Sequence, residues 1–517
     1  MRKMNMKIIS KSRYTSFVTC PKQFWLKCHK PELAKEMDKS LEYRFEQGNE
    51  AGETALGLFN GVENATVRKP DGSLDIRAMC ERTKELMTAN CPAIAEAAFS
   101  GDGFYCAVDI LKNNGDGTWD MYEVKSSSNP EKPKDIKEIY CHDIAFQRYV
   151  LNENGVRVGK CYLALINTDY VRDGEIDPFG LFFINEITPL LPGFAKDIPE
   201  NLAQAQEIYA SETEPPVDLN QNCKKPYICA FYEYCTRHLP KPSVFDLYGV
   251  GFDNRKKLAC YQQGIISFED VRRANVALKE KQQRQLDFAL DNEPPYIDRD
   301  AVRKFLSTIR FPMYFLDFET YMSVLPLFDG LRPYQQVPFQ YSLHILRNKG
   351  NKQLEHQEFL ADENKNEWRA LAVRLVADIP HGDGSVISYN ASFEKSRIKE
   401  MTNAFPDLAE RLLGINARMI DLLDVFKGGY MYQKEMGGSF SIKSVLPALC
   451  PDNPDLDYKA NEDVQNGMAA TLAFLSLKNR TQAERERIRN NLLKYCRLDT
   501  LAMVEIYRVL CKLAGNE

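Results

Sequence analysis

The stretch MYFLDFET, residues 313–320, sets two acidic side chains inside a run that is otherwise apolar and aromatic. Such a run predicts a β-strand, in which successive side chains point to opposite faces. Asp317 and Glu319 would then share one face, and their like charges would repel each other. A divalent cation such as Mg²⁺ or Mn²⁺ removes that repulsion because it prefers oxygen ligands. An edge strand with an exposed acidic face is the alternative, so the metal interpretation requires further carboxylates.

Those carboxylates occur in two later segments. Residues 386–401, VISYNASFEKSRIKEM, predict a strand that runs into a helix with Glu394 in its first turn. Residues 484–510 have helical periodicity, which places Tyr495 and Asp499, at i and i+4, on one helix face. Four carboxylates from three segments could hold two divalent cations across a scissile phosphate, and the tyrosine could orient the attacking water. Ordinary solvated helix faces are the alternative for each residue taken alone.

The order FLDFET, YNASFE and YCRLD resembles the three motifs of the DnaQ-like 3′–5′ exonucleases, in the subgroup whose third motif is Tyr-x3-Asp. The resemblance covers about residues 306–517 and implies an RNase H-like fold. It implies catalytic roles for Asp317, Glu319, Tyr495 and Asp499, with the three acids as metal ligands.

One position departs from that family. The second motif there normally ends in Asp, whereas this chain has Glu394. Asp421 and Asp424 are reserve candidates for the missing carboxylate, with a solvated acidic face as their alternative. The segment GGSFSIKSVL, residues 437–446, could contact a phosphate backbone through Lys443, or it could be a plain flexible loop.

A second candidate centre lies near the N-terminus. The run FYCAVDILKNNGDGTWDMYEVKSSS, residues 104–128, predicts a β-hairpin around a glycine-containing turn. A turn at 113–117 sets Asp109 opposite Met121. The alternation of side chains then puts three polar groups on one face: Asp109, Glu123 and Lys125. Two carboxylates can bind a divalent cation while the ammonium stabilises developing charge. A solvent-facing hairpin with a salt bridge is the alternative.

The pattern Asp-x13-Glu-x-Lys, followed by a helix with HDIAFQRYVL, resembles the RecB-type PD-(D/E)XK nucleases. The resemblance implies catalytic roles for Asp109, Glu123 and Lys125, the two acids as metal ligands, and a site contact for Gln147. The family's first motif supplies a His from a helix. The corresponding segment here, RFEQGNEAGETA, has no His, and Glu50 or Glu53 could take its place or be an ordinary exposed acid.

Four cysteines suggest a metal cluster. Cys223, Cys229 and Cys235 are separated by five residues each, and Cys20 lies far away in SFVTCPKQFW. In a reducing compartment these thiols are not expected to form disulfides, and the set suits a [4Fe–4S] cluster or a structural Zn²⁺. Cys28 is an alternative fourth ligand.

This arrangement resembles the iron–sulfur RecB-family nucleases, in which one N-terminal cysteine joins three C-terminal ones around the nuclease core. Those relatives usually space the last three cysteines as Cys-x2-Cys-x5-Cys, whereas both gaps here are five residues. The resemblance implies a [4Fe–4S] cluster held by Cys20, Cys223, Cys229 and Cys235.

The middle of the chain, residues 245–271, has Gly249-Val250-Gly251 between predicted helical runs and resembles a helix-hairpin-helix. Glycines at such a turn let backbone N–H groups approach a phosphate without sequence preference. We expect nucleic-acid contact at Gly249, Gly251 and Lys256. Packing without any nucleic acid is the alternative for this motif.

Composition limits the remaining possibilities. The net charge of −5 gives no global attraction to nucleic acid, so binding must use local patches such as residues 1–30, which carry eight Lys or Arg and no acid. No segment has the apolar length of a signal peptide or a membrane span, so we expect a cytoplasmic protein without membrane association.

The sequence therefore predicts an α/β multidomain protein: a PD-(D/E)XK restriction-endonuclease-like domain over 1–240, a small helical middle over 241–305 and an RNase H-like domain over 306–517. This order resembles a bacterial family of RecB-type nucleases with a C-terminal exonuclease-like domain. It implies a Mg²⁺- or Mn²⁺-dependent nuclease acting on DNA, with 3′–5′ exonuclease activity, in DNA repair or phage defence. The alternatives are a nucleic-acid-binding scaffold that has lost activity and an exonuclease that processes RNA.

Overall fold

The structure is a computed structural model that describes residues 8–225, 227–349, 353–451, 453, 456 and 464–515. The chain forms two compact units. Unit 1 comprises Met1–His238 together with Ser323–Gln335, and unit 2 comprises Leu239–Met322 together with Gln336–Glu517. Each unit combines helices with a β-sheet, so the chain is an α/β multidomain protein.

Unit 1 contains the first seven strands and the first nine helices of the described chain. The strands are β1 (Ile9–Ser10), β2 (Val62–Asn64), β3 (Ala93–Gly101), β4 (Phe104–Asn113), β5 (Trp119–Ser128), β6 (Val158–Ile166) and β7 (Phe182–Glu186). The helices are α1 (Lys11–Thr19), α2 (Pro21–His29), α3 (Lys39–Ala55), α4 (Ile76–Thr88), α5 (Glu138–Glu153), α6 (Pro178–Leu181), α7 (Pro192–Ala195), α8 (Ile198–Ala210) and α9 (Tyr232–Thr236).

The strands of unit 1 form one mixed sheet in the order β2-β3-β4-β5-β6-β7, and β1 pairs with β4 in parallel. The predicted hairpin is confirmed as β4 and β5, but its predicted register is wrong. Met121 pairs with Leu111, so continuing this register places Asp109 across from Glu123. The reason is a turn one residue later than predicted: the N–H of Asn114 donates to the carbonyl of Thr118 over 3.1 Å.

Helices α1 and α5 cover the sheet and fill the core of unit 1. Tyr14 of α1 stacks on Phe146 of α5 with ring centroids 4.7 Å apart, and both rings are fully buried. The same face of α5 buries Ile144 and Val150, while Gln147 lies among them as a buried polar side chain. This packing brings one polar residue of α5 over the centre of the sheet.

The segment Ser323–Gln335 is part of the packing of unit 1. The side-chain oxygen of Gln47, on α3, accepts hydrogen bonds from the Ser323 hydroxyl over 2.8 Å and from the backbone N–H of Val324 over 2.7 Å. Val324 is buried in an apolar cluster with Ala51 and Ile166. Contacts with buried polar and apolar atoms therefore hold this segment.

Unit 2 contains the remaining elements. Its strands are β8 (Tyr296–Ile297), β9 (Met313–Tyr321), β10 (Val337–Leu346), β11 (Glu355–Leu360), β12 (Val386–Ser388), β13 (Met419–Asp421) and β14 (Met431–Tyr432). Its helices are α10 (Asn254–Gln262), α11 (Phe268–Arg273), α12 (Glu280–Asp291), α13 (Arg299–Leu306), α14 (Trp368–Asp378), α15 (Ser392–Ala404), α16 (Ala409–Ala417), α17 (Asp424–Lys427), α18 (Ile442–Leu449), α19 (Gly467–Ser476) and α20 (Gln482–Ala514). Across the described part of the chain, no helix has the length and apolar character needed to cross a bilayer.

Strand β9, which contains the stretch MYFLDFET, lies in the middle of the main sheet of unit 2. The strand order is β11-β10-β9-β12-β13. Strands β11, β10 and β9 are mutually antiparallel, while β12 is parallel to both β9 and β13. The predicted strand is therefore confirmed, and the edge-strand alternative is wrong because β9 has a neighbour on each side.

The helices of the predicted middle segment belong to unit 2. Helices α10, α11 and α12 share a small apolar core that includes Val244, Phe268 and Leu286. A short 3₁₀ turn, Val244–Asp246, precedes the glycine pair, where a helical run was predicted. The boundary predicted at residue 240 lies beside His238, the last residue before unit 2.

Candidate metal centres

Three carboxylates meet in unit 2. Asp317 and Glu319 extend from the same face of β9, and Asp499 extends from α20. One carboxylate oxygen from each lies within 4.8 Å of the others, and Glu319 and Asp499 are buried. Side-chain alternation along the strand produces the first two, and the long helix brings the third from far along the chain. The structure therefore groups the three acids that the sequence predicted as metal ligands.

The electrostatics of this group are unfavourable without a cation. Burial raises the pKa of Asp317 well above its usual value, and the charges of Asp499 and Glu319 raise it further. Burial and the charge of Asp499 do the same to Glu319, which the ammonium of Lys443 partly offsets. A buried group of like charges persists at neutral pH if it takes up protons or binds a cation. Oxygen ligands at this spacing suit a hard divalent cation.

A buried polar network positions α20 against β10. The hydroxyl of Thr500 lies 2.8 Å from the Ser342 hydroxyl and 2.8 Å from Nδ1 of His344. About two turns towards the N-terminus of the helix, the amide of Gln340 donates to the carbonyl of Leu492 over 2.8 Å. These contacts fix both the rotation and the height of α20, so its acidic residue reaches the strand.

This network should make the stability of unit 2 depend on pH. Burial and the charge of His356 lower the pKa of His344 to about 3, against 6.5 for an exposed histidine. The unfolded chain therefore binds a proton below pH 6.5 that the folded chain does not bind. Stability is complete above that pH and falls as the pH drops, by up to about 1.4 kcal/mol per pH unit for this residue.

Urea unfolding of the wild type and of His344→Gln, measured between about pH 7 and pH 4, checks this expectation. The difference between the two unfolding free energies should shrink as the pH falls, because only the wild type carries the buried ring. His381→Gln, which removes an exposed histidine of the same unit, should follow the wild type. Identical pH dependence in wild type and His344→Gln would contradict the expectation.

Tyr495 and Lys443 lie beside the three acids. Tyr495 is buried on α20, and burial together with the charges of Asp499 and Glu319 raises its pKa, so its hydroxyl stays protonated. The Nζ atom of Lys443 lies 5.4 Å from the centroid of the tyrosine ring and donates to the carbonyl of Gln465 over 2.6 Å. A protonated hydroxyl and an ammonium therefore border the acidic group.

Glu394 lies near the group but outside it. It is buried in the first turn of α15, and its charge helps to raise the pKa of Asp317 and Glu319. Burial raises its own pKa to about 8, with a further contribution from the charge of Asp421. Within the described residues, its Oε2 atom has no hydrogen-bond partner. A buried oxygen without a donor is available as a ligand for a cation.

The reserve candidates have other contacts. Oδ1 of Asp421 accepts hydrogen bonds from the backbone N–H groups of Asn390 and Leu423, over 2.9 Å and 3.0 Å. Asp424 begins the short helix α17. Neither belongs to the group of three acids, and Asp421 has a structural task in joining β13 to the entrance of α15.

The second predicted centre forms in unit 1. Glu123 and Lys125 extend from one face of β5, and their side chains form a salt bridge. Asp109, on β4, accepts the backbone N–H of Val124 over 2.8 Å through Oδ2. Gln147, on α5, donates to Oε2 of Glu123 over 2.7 Å. The structure therefore brings together all four residues that the sequence predicted here.

Two residues of this centre were missed by sequence analysis. Asp143, on α5, accepts hydrogen bonds from Lys125 over 3.0 Å and from Gln147 over 3.0 Å. Lys11, at the start of α1, donates to Asp109 over 3.1 Å and to Glu123 over 3.2 Å. Asp143 lies four residues before Gln147 on a helix, a spacing that could have identified it. No local signal marks the lysine, because it lies 98 and 112 residues before its partners Asp109 and Glu123.

The charges of this centre are largely balanced internally. Burial raises the pKa of Glu123, but the ammonium groups of Lys11 and Lys125 outweigh that effect and lower the pKa to about 2. Burial and the charge of Glu123 raise the pKa of Asp143. Unlike the acids of unit 2, Glu123 is therefore ionised across the physiological range.

Glu96 is a further acid that sequence analysis missed. It lies on β3 between the paired residues Ala95 and Ala97, where the ladder with β4 skips a residue. Its backbone has φ 53°, a left-handed conformation that is costly for glutamate. Burial and the charge of Asp109 raise its pKa. Strain of this kind often accompanies functional sites. Its sequence signal was an acid within an apolar strand, as for Asp317.

The replacement proposed for the missing histidine has a different contact. Glu50 lies on α3 and accepts a hydrogen bond from the amide of Gln47 over 2.6 Å. Burial and the charges of Glu46 and Glu53 raise its pKa.

The four predicted cysteines converge in unit 1. Cys20 lies between α1 and α2, and its charge contributes to the raised pKa of the other three thiols. Burial is the first cause of each of those shifts. Asn222 donates to the carbonyl of Thr19 over 2.8 Å, which ties the distant loop to the residue before Cys20. Cys28 instead interacts with Tyr209, so Cys20 is the better fourth member.

The spacing of these thiols is wider than a single ion requires. Among the described residues, no three of the cysteines have sulfur atoms within 4.8 Å of one another. Tetrahedral Zn²⁺ holds sulfur at about 2.3 Å, which brings its ligands to roughly 4 Å apart. A cubane places a separate iron atom at each corner, so its cysteines stand farther apart. The four thiols therefore do not form the close set of sulfur atoms that a single bound Zn²⁺ would hold.

The predicted phosphate-binding turn is partly covered. Gly251 has φ +83°, and a Cβ atom there would lie 2.6 Å from the side chain of Lys279. Lys256 donates to the carbonyl of Gly251 over 2.7 Å. A Cβ on Gly249 would meet open space. Two ammonium groups therefore lie at this turn.

Known proteins resemble parts of this chain. Residues 314–441 match the profile of a domain of unknown function, DUF2779. That range includes Asp317, Glu319 and Glu394 and ends before Asp499.

Among curated proteins, the chain is 27% identical over 207 residues to uncharacterized protein MG366 of Mycoplasma genitalium. It is 29% identical over 219 residues to uncharacterized protein UU173 of Ureaplasma parvum. These matches cover 37% and 38% of this chain and 31% of each relative, so the chain matches less than a third of the relatives' length.

Among solved structures, the crystal structure of SSO0001 is similar at 13% identity and a TM-score of 0.23, over 46% of this chain and 90% of that chain. A TM-score of that size does not establish a common fold.

Proposed function

We propose that this protein is a metal-dependent nuclease that hydrolyses phosphodiester bonds. The observation that carries the proposal is the group of Asp317 with the buried Glu319 and Asp499, in which one carboxylate oxygen of each residue lies within 4.8 Å of the others. Three like charges at this distance repel one another. A divalent cation would remove that repulsion and would also provide the chemistry for hydrolysis. When bound, Mg²⁺ or Mn²⁺ would activate water and stabilise the leaving oxygen.

The residues of unit 2 suit 3′–5′ exonuclease chemistry. The three grouped acids would hold the cations, and Glu394 would complete the set through its unpartnered Oε2 atom. The protonated hydroxyl of Tyr495 would orient the attacking water, and Lys443 would contact the phosphate backbone. A central strand flanked by antiparallel strands on one side and parallel strands on the other is compatible with an RNase H-like fold.

Unit 1 supplies a second candidate centre of the PD-(D/E)XK type. Asp109 and Glu123 would hold a cation, and Lys125 would stabilise the developing negative charge. Gln147 positions Glu123 from α5 through its 2.7 Å hydrogen bond. A cluster of the [4Fe–4S] type at the four cysteines would fasten the N-terminus to the end of this domain, with Zn²⁺ as the alternative.

The proposed substrate is DNA, with RNA as the second candidate. Lys443 beside one centre and Gly249, Gly251 and Lys256 in the middle segment are groups that contact phosphates without reading bases. Repair of DNA and defence against phage are compatible roles in a cytoplasmic protein. A binding protein that has lost activity is the alternative, motivated by Glu394 in place of Asp and by the missing histidine.

Asp109→Asn tests the centre of unit 1. This change keeps a hydrogen-bond acceptor for the N–H of Val124 and removes one charged ligand. We expect the part of the hydrolysis due to unit 1 to fall by about a hundredfold, because a neutral amide binds a cation weakly and stabilises less charge. The measurement is Mn²⁺-dependent degradation of end-labelled DNA and RNA in a background with Asp317→Asn, which isolates unit 1.

Asp120→Asn is the matched control, since Asp120 lies on the neighbouring strand β5 and accepts the N–H of Lys160 over 2.7 Å. It should retain the rate. Equal rates for Asp109→Asn and its parent would remove unit 1 from the proposed enzyme, and absence of metal-dependent degradation in the wild type would favour the inactive binding protein.

A further inference from the structure

The ammonium of Lys11 lies between the two acids proposed to hold a cation in unit 1. Its Nζ atom is 3.1 Å from Oδ1 of Asp109, 3.2 Å from Oε1 of Glu123 and 3.4 Å from Oε2 of the same glutamate. It therefore contacts three carboxylate oxygens from two strands. The positive charge of Lys11, the first residue of α1, therefore lies at the position where Asp109 and Glu123 would bind a metal cation.

The backbone of Lys11 is held by its neighbours, whereas its side chain is partly exposed to solvent. Ser10 pairs with Tyr105 of β4 and caps α1 by accepting the N–H of Arg13. The lysine side chain is 28% exposed, whereas that of Glu123 is 2% exposed. Four flexible methylene groups can carry the ammonium into solvent without moving the helix.

The balance of charge explains why the site accepts this lysine. Asp109, Glu123 and Asp143 contribute three carboxylates, and Lys125 alone would leave them in excess. Lys11 supplies the second positive charge. It pairs with Asp109, whereas Lys125 pairs with Glu123 and Asp143.

We propose that Lys11 is a tethered competitor for the divalent cation of unit 1, which occupies the cation position in the metal-free protein and leaves when the cation binds. The inference rests on the proposed role of Asp109 and Glu123 as metal ligands. Mg²⁺ binds oxygen at about 2.0–2.1 Å, so a cation between these two carboxylates would meet the ammonium at the same oxygens. Two positive charges cannot share that position.

Two consequences follow for the chain itself. The metal-free centre keeps its buried Glu123 neutralised, so unit 1 folds without the cation. The affinity of unit 1 for the cation is weaker as a result, because the cation must displace Lys11 from Asp109 and Glu123. Unit 1 would then bind a cation only when its concentration is high or when substrate adds further ligands.

The first test uses the wild-type chain. Lys11 acetylation by a reagent for amines, read by mass spectrometry of peptides, should rise several-fold when Mn²⁺ is added, because the ammonium moves into solvent. Lys160, an exposed lysine of unit 1 paired with Glu186 over 2.8 Å, provides the internal reference and should not change. Equal labelling of Lys11 with and without Mn²⁺ would overturn the inference.

The second test measures Mn²⁺ affinity by electron paramagnetic resonance. Asp317→Asn with Asp499→Asn forms the background, so that binding at unit 2 is removed. Lys11→Met should bind one Mn²⁺ at least about tenfold more tightly than the background, a difference of about 1.4 kcal/mol. Lys160→Met is the matched control and should bind like the background. Lys11→Gln replaces Lys11→Met if the latter does not fold.

The outcomes separate the inference from the proposed function. Binding that Asp109→Asn abolishes, but that Lys11→Met leaves unchanged or weakens, overturns the role of Lys11 and leaves the metal site standing. Absence of any binding that depends on Asp109 overturns both. Tighter binding in Lys11→Met that disappears on adding Asp109→Asn supports both.

Discussion

Asp317→Asn should lower metal-dependent hydrolysis by unit 2 by about a thousandfold or more, because it removes one of the three charged carboxylates proposed to bind the cations. The change alters one atom of the side chain and keeps its shape. The measurement is the rate of release of nucleotides from 3′ ends with saturating Mn²⁺, in a background with Asp109→Asn. Asp407→Asn removes an exposed acid of the same unit that pairs with Arg369, and it should leave the rate unchanged.

The same substitution should have the opposite effect on stability when no cation is present. Burial and the neighbouring acids raise the pKa of Asp317 and Glu319, so the folded chain binds protons more tightly than the unfolded chain. Stability due to these groups is therefore complete below the usual carboxyl pKa and falls as the pH rises from there towards their raised pKa. At neutral pH in a chelating buffer, Asp317→Asn should unfold at a higher temperature than the wild type.

Adding Mn²⁺ should reverse that order. A ligand at a hundred times its dissociation constant stabilises by about 2.7 kcal/mol, and the variant would gain less because it has lost a ligand. Loss of activity together with a gain of metal-free stability is the pattern expected of a site whose charges serve catalysis. Loss of activity with loss of stability in both buffers would instead identify Asp317 as a structural residue.

Much of this acidic centre could be predicted from local sequence patterns. Side-chain alternation in MYFLDFET predicts that Asp317 and Glu319 share one face of a strand. The i, i+4 spacing predicts that Tyr495 and Asp499 share one face of a helix. Both patterns survive in the structure because each depends on a few neighbouring residues. Their meeting in space was inferred from a resemblance, since no local rule relates a strand to a helix far along the chain.

The errors and omissions have a physical origin as well. The hairpin register depended on where the turn closed. Hydrogen bonds from the N–H and the hydroxyl of Thr118 to Oδ1 of Asp116 placed the turn one residue later than the glycines suggested. Lys11 was missed because its contacts join residues about a hundred positions apart. Glu96 is visible in the sequence as an acid within an apolar strand, but its left-handed backbone, which distinguishes it from other acids, is not.

Cys229→Ser should remove bound iron and strongly destabilise unit 1. The four cysteines connect residue 20 with residues 223–235, so a cluster there would close a loop that contains most of the unit. Closing a loop of that length by a covalent link contributes roughly 5 kcal/mol in the chain-entropy account, and metal binding to an otherwise open set of ligands adds directly to folding. We therefore expect a loss of several kcal/mol and a protein prone to aggregation.

Elemental analysis of protein purified without oxygen, with its visible absorbance, measures the first effect, and urea unfolding measures the second. Cys28→Ser is the matched control: it removes a nearby thiol that contacts Tyr209 and should keep both iron and stability. One zinc per chain and no iron would support the structural Zn²⁺ site in place of the [4Fe–4S] cluster. Iron retained in Cys229→Ser would exclude this cysteine as a ligand. Because no three of the described cysteines have sulfur atoms within 4.8 Å of one another, we expect iron, and a colourless protein with zinc would require these thiols to move closer together.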